Sequence, residues 1–221
     1  MASNGHPPTE TFLPEHLSLA ALRRAVDGCR GCDLYENATQ GVIGEGPAKA
    51  LALFVGEQPG DQEDLAGRPF VGPAGGMLDR GLEAAGIPRD EVFVTNAVKH
   101  FKWVARGKRR LHQKPTLGEV TACRPWLAAE VAVVAPRMIV CLGATAAQAL
   151  LGRDFRVTRQ RGEIFEGGPD DGALAPWMMA TIHPSALLRI PGSEDRQAAF
   201  AEFVGDLEVV ARQLEVERER A

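Results

Sequence analysis

The chain has 221 residues, is 45% hydrophobic and carries a net charge of −4. That is enough apolar material to bury one α/β core and too little for two, and the overall acidity argues mildly against a protein that coats nucleic acid. No apolar run approaches a membrane span, and the leading MASNGHPPTETFLPEH has neither a basic nor an apolar targeting region, so a cytoplasmic monomer without a membrane partner is expected.

In chain order, residues 1–15 are polar and proline-bearing, which predicts a flexible lead-in before a single domain over 16–221. Short apolar runs at Leu51–Val55, Val92–Asn96, Met138–Leu142 and Met178–Ile182 lack polar alternation and read as strands buried on both faces. Helical stretches lie between and after them, at Gly76–Ala85, Leu117–Val134, Ala144–Leu151 and Glu194–Glu217. Pro115-Thr116 starts the second and Pro136 stops it. With right-handed crossovers, this alternation predicts a central, mostly parallel four-stranded sheet flanked by helices.

Polar loops follow each strand. Leu51–Val55 runs into VGEQPGDQEDLAGRPFVGPAGG, where Gly56, Pro59 and Gly60 clear side-chain bulk around Glu57, Gln58 and Asp61. The other strands end at Asn96, at Gly143-Ala144-Thr145 and at His183-Pro184-Ser185. In an open parallel sheet these loops meet at one edge, where ligands bind.

Two further features bear on function. The window Lys99–Lys114 holds Lys99, Lys102, Arg106, Lys108, Arg109, Arg110 and Lys114 with no acidic residue, and Phe101 and Trp103 lie within it. Such a run suits phosphate neutralisation and predicts contact with nucleic acid. The chain also has four cysteines, the pair Cys29-Arg30-Gly31-Cys32 and the distant Cys123 and Cys141. The C-x2-C pair suggests a metal site more than disulfides, with zinc the simplest ion by spacing. Cys141, inside MIVCLG, could equally be a core residue.

The GEQPG…GRPFVGPAGG segment, Asn96 at the end of VFVTN, and His183-Pro184-Ser185-Ala186-Leu187-Leu188-Arg189 together resemble the motifs of the iron–sulfur branch of the uracil-DNA glycosylases. The likeness runs from about Cys29 to Phe203. Within that superfamily, Lys108-Arg109-Arg110-Leu111-His112 resembles the KRRIH loop of the UdgX subgroup, with leucine in place of isoleucine at similar volume.

The resemblance implies an enzyme that flips uracil out of single- or double-stranded DNA, excises it, and remains covalently bound to the abasic site. It implies a [4Fe–4S] cluster of structural role held by Cys29, Cys32, Cys123 and Cys141. It makes His112 the nucleophile, Glu57 the carboxylate that orients it, and His183 the donor to a uracil carbonyl, with Gln58 alongside. Asn96 reads the base edge, Phe70 stacks on the flipped ring, and Gly56, Asp61 and Arg189 complete the substrate site. Lys108, Arg109, Arg110 and Ser185 face the DNA backbone. A conventional glycosylase that releases its product is the alternative, followed by a module that binds uracil-containing DNA without cutting.

Overall fold

The computed structural model describes residues 5–167 and 174–220. In chain order the elements are α1 (Leu19–Ala25), β1 (Ala52–Gly56), α2 (Asp61–Ala66), α3 (Pro73–Ala84), β2 (Val92–Asn96), β3 (Trp103–Arg106), β4 (Arg109–His112), α4 (Leu117–Val134), β5 (Met138–Leu142), α5 (Ala144–Leu151), α6 (Val157–Gln160), β6 (Ile164–Glu166), β7 (Trp177–Thr181), α7 (Pro184–Leu188) and α8 (Ser193–Glu219).

The four expected strands form within a residue of their anticipated bounds, but the sheet has five, in the order β2-β1-β5-β7-β6. β2, β1, β5 and β7 are parallel; β6 adds to β7 in the antiparallel sense. The fifth strand is only three residues long and half-buried, so it lacks the continuous apolar run that marks the other four. The fold is α/β, a mostly parallel sheet flanked by helices.

Every residue of β1, β2 and β5 is buried because helices cover both faces. In β1, Leu53 and Val55 pack among α4 and α5 residues, while Ala52 and Phe54 pack against Leu78, Leu82, Phe203 and Leu207 of α3 and α8. A fully buried phenylalanine such as Phe54 contributes about 2 kcal/mol of apolar transfer energy.

A third cluster joins α1 to α4 through Leu22, Val26 and Trp126. The segment expected to be a flexible lead-in carries a 3-10 turn, Thr9–Phe12, in which Thr9 is buried; Phe12 and Leu13 pack on the same cluster. Residues 1–4, 168–173 and 221 lie outside the described residues.

The basic window is a β-hairpin. β3 and β4 pair antiparallel, with Arg106 opposite Arg109 and Gly107 at φ 59° in the two-residue turn. Register sorts its side chains: Trp103, Ala105, Arg110 and His112 share one face, and Val104, Arg106, Arg109 and Leu111 the other.

Candidate active site

The loops after β1, β2, β5 and β7 meet at one edge of the sheet, as topology requires, and the hairpin closes the fifth side. They enclose a cavity of about 580 Å³. Glu57, Gln58, Phe70, Asn96, His112, Thr145, His183, Ser185 and Arg189 all line it. Of the residues singled out from sequence for catalysis and base binding, only Gly56 and Asp61 are off its wall.

Gly56 acts from behind. A Cβ there would lie 2.4 Å from Asn96 Oδ1 and 2.9 Å from Phe70 Cζ, so the missing side chain is what lets the amide and the ring converge. Phe70 has φ 54°, a left-handed conformation that costs roughly 1–2 kcal/mol in a non-glycine residue. Gly75 permits it, because a Cβ there would sit 1.7 Å from the Phe70 carbonyl oxygen. Asn96 is 3% exposed, and none of the described residues hydrogen-bonds its side-chain amide. An amide open to a cavity and without a protein partner suits a ligand that both donates and accepts.

His183 is the N-cap of α7. Its Nδ1 accepts from the Ser185 amide at 3.2 Å and lies 2.8 Å from Ser185 Oγ. That acceptor role places the ring proton on Nε2. Burial drives the imidazolium down to about 4, with Arg189 and His112 adding to the effect and Glu57 opposing it. His183 is thus a neutral ring with a fixed Nε2–H donor, and Phe70 stacks near it at a centroid distance of 6.1 Å. Ser185, expected on DNA, uses its hydroxyl and amide to set this ring.

Glu57 has two partners. His112 Nε2 lies 3.3 Å from its Oε1, and Thr145 Oγ1 donates to its Oε2. Burial alone would raise its pKa, but these hydrogen bonds and the nearby histidines hold the carboxyl below its ordinary value, so it is ionised. His112 is half exposed and tilts against Phe101. Sequence reasoning placed the loop of Thr145 at this edge without assigning that hydroxyl a partner. It also passed over Glu63, which accepts from the amides of Gly60 and Gly72 at 3.1 and 2.7 Å and thereby staples the two loops together.

Three expectations about charge and polarity are corrected. Lys99 is wholly buried against Glu130, and Lys102 pairs with Glu119 at 2.9 Å, so neither is available to phosphate. Arg110 turns inward: its Nε meets Asp61 at 2.5 Å and its Nη1 meets buried Asp64 at 2.6 Å, beneath Phe101 and Trp103. Asp61 is therefore a partner of the hairpin, not of the base. Gln58 spans between, accepting from the Lys102 amide and donating to the carbonyls of Lys102 and Gln113. It fixes the hairpin that carries His112. Arg106, Lys108, Arg109 and Lys114 remain exposed.

These placements separate two neighbouring arginines. Arg109→Ala should leave stability unchanged and lower the salt slope of DNA association by about one. Arg110→Ala strands the buried Asp64 carboxylate and should cost about 3 kcal/mol, read as a lower urea midpoint. Equal effects of the two substitutions on stability would contradict the placement.

The cysteines divide three to one. Cys29 and Cys123 lie in the cluster between α1 and α4, with Cys32 packed against it, and burial, with smaller contributions from Cys32 and Cys29, pushes the Cys123 thiol up to about 12. Cys141 lies in β5, in the core between the sheet and α4 and α5, where burial alone pushes its thiol up to about 12. Strand alternation points it into that core, so the expected fourth thiolate is absent from the group.

A buried imidazole lies one residue past a contact with this group. His100 follows Lys99, whose amide donates to Cys123 Sγ at 3.2 Å, and it senses Asp27 and Arg30, which flank Cys29. Burial lowers it to about 4 and keeps it neutral. Among the described residues, no three His, Cys, Asp or Glu side chains are gathered tightly enough for a single metal ion.

Comparison with known proteins agrees with this geometry. The family model for the uracil DNA glycosylase superfamily matches residues 43–208. A type-4 uracil-DNA glycosylase of Thermotoga maritima is 38% identical over 179 residues, covering 80% of this chain and 87% of its own. Type-4 uracil-DNA glycosylases of Pyrobaculum aerophilum and Archaeoglobus fulgidus are 35% and 34% identical, each over 86% of this chain and 92% and 93% of their own lengths. From the four loops that meet at the sheet edge to the extent of these matches, the chain belongs to the uracil DNA glycosylase superfamily.

Proposed function

We propose that this chain excises uracil from DNA and then holds the abasic sugar covalently through His112. The excision half rests on family membership and on the cavity; the covalent half rests on one observation, the imidazole of His112 held 3.3 Å from the Glu57 carboxylate at the cavity wall.

Uracil removal breaks the C1′–N1 bond, and its electron pair leaves with the base while positive charge grows on the sugar. His183 Nε2–H donates to the carbonyl oxygen where the negative charge gathers, and a neutral donor already fixed by Ser185 needs no reorganisation. Asn96 supplies a donor and an acceptor to the flipped base, and Phe70 stacks on it. Ionised Glu57 stabilises the cationic sugar. The lone pair of the unprotonated His112 nitrogen then forms a bond to C1′, and the proton on its other nitrogen passes to Glu57. The departing uracil anion takes a proton from water.

The same reading assigns a [4Fe–4S] cluster to Cys29, Cys32, Cys123 and His100. A cluster spreads its ligands over several irons, which suits four donors from the N-terminal segment, the β2–β3 connection and α4 that do not converge on one point. Bound there, it would cross-link these segments. The remaining partners are uracil-containing DNA and the released base.

Conventional turnover is the second reading, and the names of the type-4 relatives favour it. Incubation with excess labelled uracil- and thymine-containing oligonucleotides distinguishes the two. The expected result is about one uracil released per protein, with a band that survives heat and detergent only on uracil DNA. Many turnovers without the band would establish the conventional reading, and no free uracil would defeat both.

A further inference from the structure

Lys99 and Glu130 are both fully buried, yet the steps proposed for catalysis use neither. Burying two charges is unfavourable unless the geometry satisfies them, and a well-packed apolar pair usually serves a core as well. Here the ammonium is fully engaged. Lys99 Nζ donates to Glu130 Oε2 at 2.5 Å, to Thr95 Oγ1 at 2.8 Å and to the main-chain carbonyl of Asn96 at 2.6 Å. Glu130, on α4, takes the Thr95 hydroxyl on the same oxygen and the Gly44 amide on the other.

Asn96 ends β2, beyond which the chain must leave the sheet. The amides of Ala97 and Val98 still bond the carbonyls of Gly56 and Glu57, so the turn stays clamped to the loop below the cavity. Of these groups, Lys99 alone donates to the Asn96 carbonyl. Its position fixes the peptide plane from which the unpartnered Asn96 amide projects beside Gly56.

We propose that Lys99 is a positioning residue for base recognition: by holding the Asn96 carbonyl and being held by Glu130, it sets the direction of the Asn96 side chain in the cavity. This rests on the proposed role of Asn96 as the group that reads the base. The ammonium suits this place in the core because its three donors join a carbonyl, a hydroxyl and a carboxylate at one point. The same residue's amide on Cys123 Sγ ties this turn to the cysteine cluster.

The test uses the full chain and two variants. Lys99→Met with Glu130→Gln removes both charges together, so no lone ion is left in the core. Thr95→Val removes one partner of the ammonium and keeps its volume. Single-turnover uracil release, release from matched cytosine-containing DNA and affinity for an uncleavable duplex are measured for each, with thermal melts.

The expected result is a 10- to 100-fold slower release for the double variant and about a 3- to 10-fold slower release for Thr95→Val. Uracil-over-cytosine selectivity narrows in both, while DNA affinity stays within twofold. A purely structural role would lower the melting temperature and leave the rate and selectivity of the folded protein intact. If the double variant does not fold, Thr95→Val decides: wild-type rate and selectivity in that variant overturn the proposal. If wild type itself releases no uracil, the functional reading fails, which is a different outcome from normal wild-type release unaffected by the variants.

Discussion

His112→Ala abolishes the heat-stable protein–DNA band by more than about 100-fold, the scale expected when a group that acts on the reacting atom is lost, while uracil continues to be released. The separation follows from the layout. The groups proposed to meet the base, His183, Asn96 and Phe70, sit at the ends of β7 and β2 and between α2 and α3, whereas His112 arrives on the hairpin and approaches Glu57. On the proposed covalent reading, removing its imidazole should open a path for water to the cationic sugar, and release should become repeated turnover. Loss of both activities would mean that His112 acts before the base leaves, as an acid or as a support for Glu57.

Asn96→Ala has the second large effect. A base edge that the protein meets with one preorganised amide loses both a donor and an acceptor, and uracil release should fall by about 10²- to 10³-fold with little change in DNA affinity, measured under single turnover. The substitution leaves the main-chain carbonyl on Lys99 in place, so the fold should tolerate it. An unchanged rate would remove Asn96 from base recognition.

The sheet could be read from sequence because its four parallel strands are buried on both faces, and an unbroken apolar run has few other uses in a chain of this size. Those strand ends also fixed most of the cavity, since Glu57, Asn96, Thr145 and His183 follow from topology alone. Other features depend on pairings across long stretches of chain, which no local pattern reveals. By residue type Arg110 is a phosphate contact among basic neighbours, yet it pairs with Asp64, 46 residues earlier. The same holds for Lys99, and Glu130 lies 31 residues away.

The KRRLH segment read as a loop because its polar residues show no alternation; only register reveals that Arg110 and His112 share the inward face while Arg109 faces out. Cysteine spacing gathered Cys141 with the others, although its place in a strand turns it into the core with Ile139, and it gave no hint of His100. Side-chain direction within a strand, and not residue type, decided the cases of Arg110, His112 and Cys141.

The most direct measurement is mass spectrometric mapping of the cross-linked protein after reaction with a uracil-containing oligonucleotide and nuclease trimming. A residual deoxyribose fragment is expected on the peptide that contains His112, localised by fragmentation to its imidazole, with none after reaction with thymine DNA. The same fragment on Lys114 or another side chain, or quantitative uracil release with every protein molecule unmodified, would contradict this expectation.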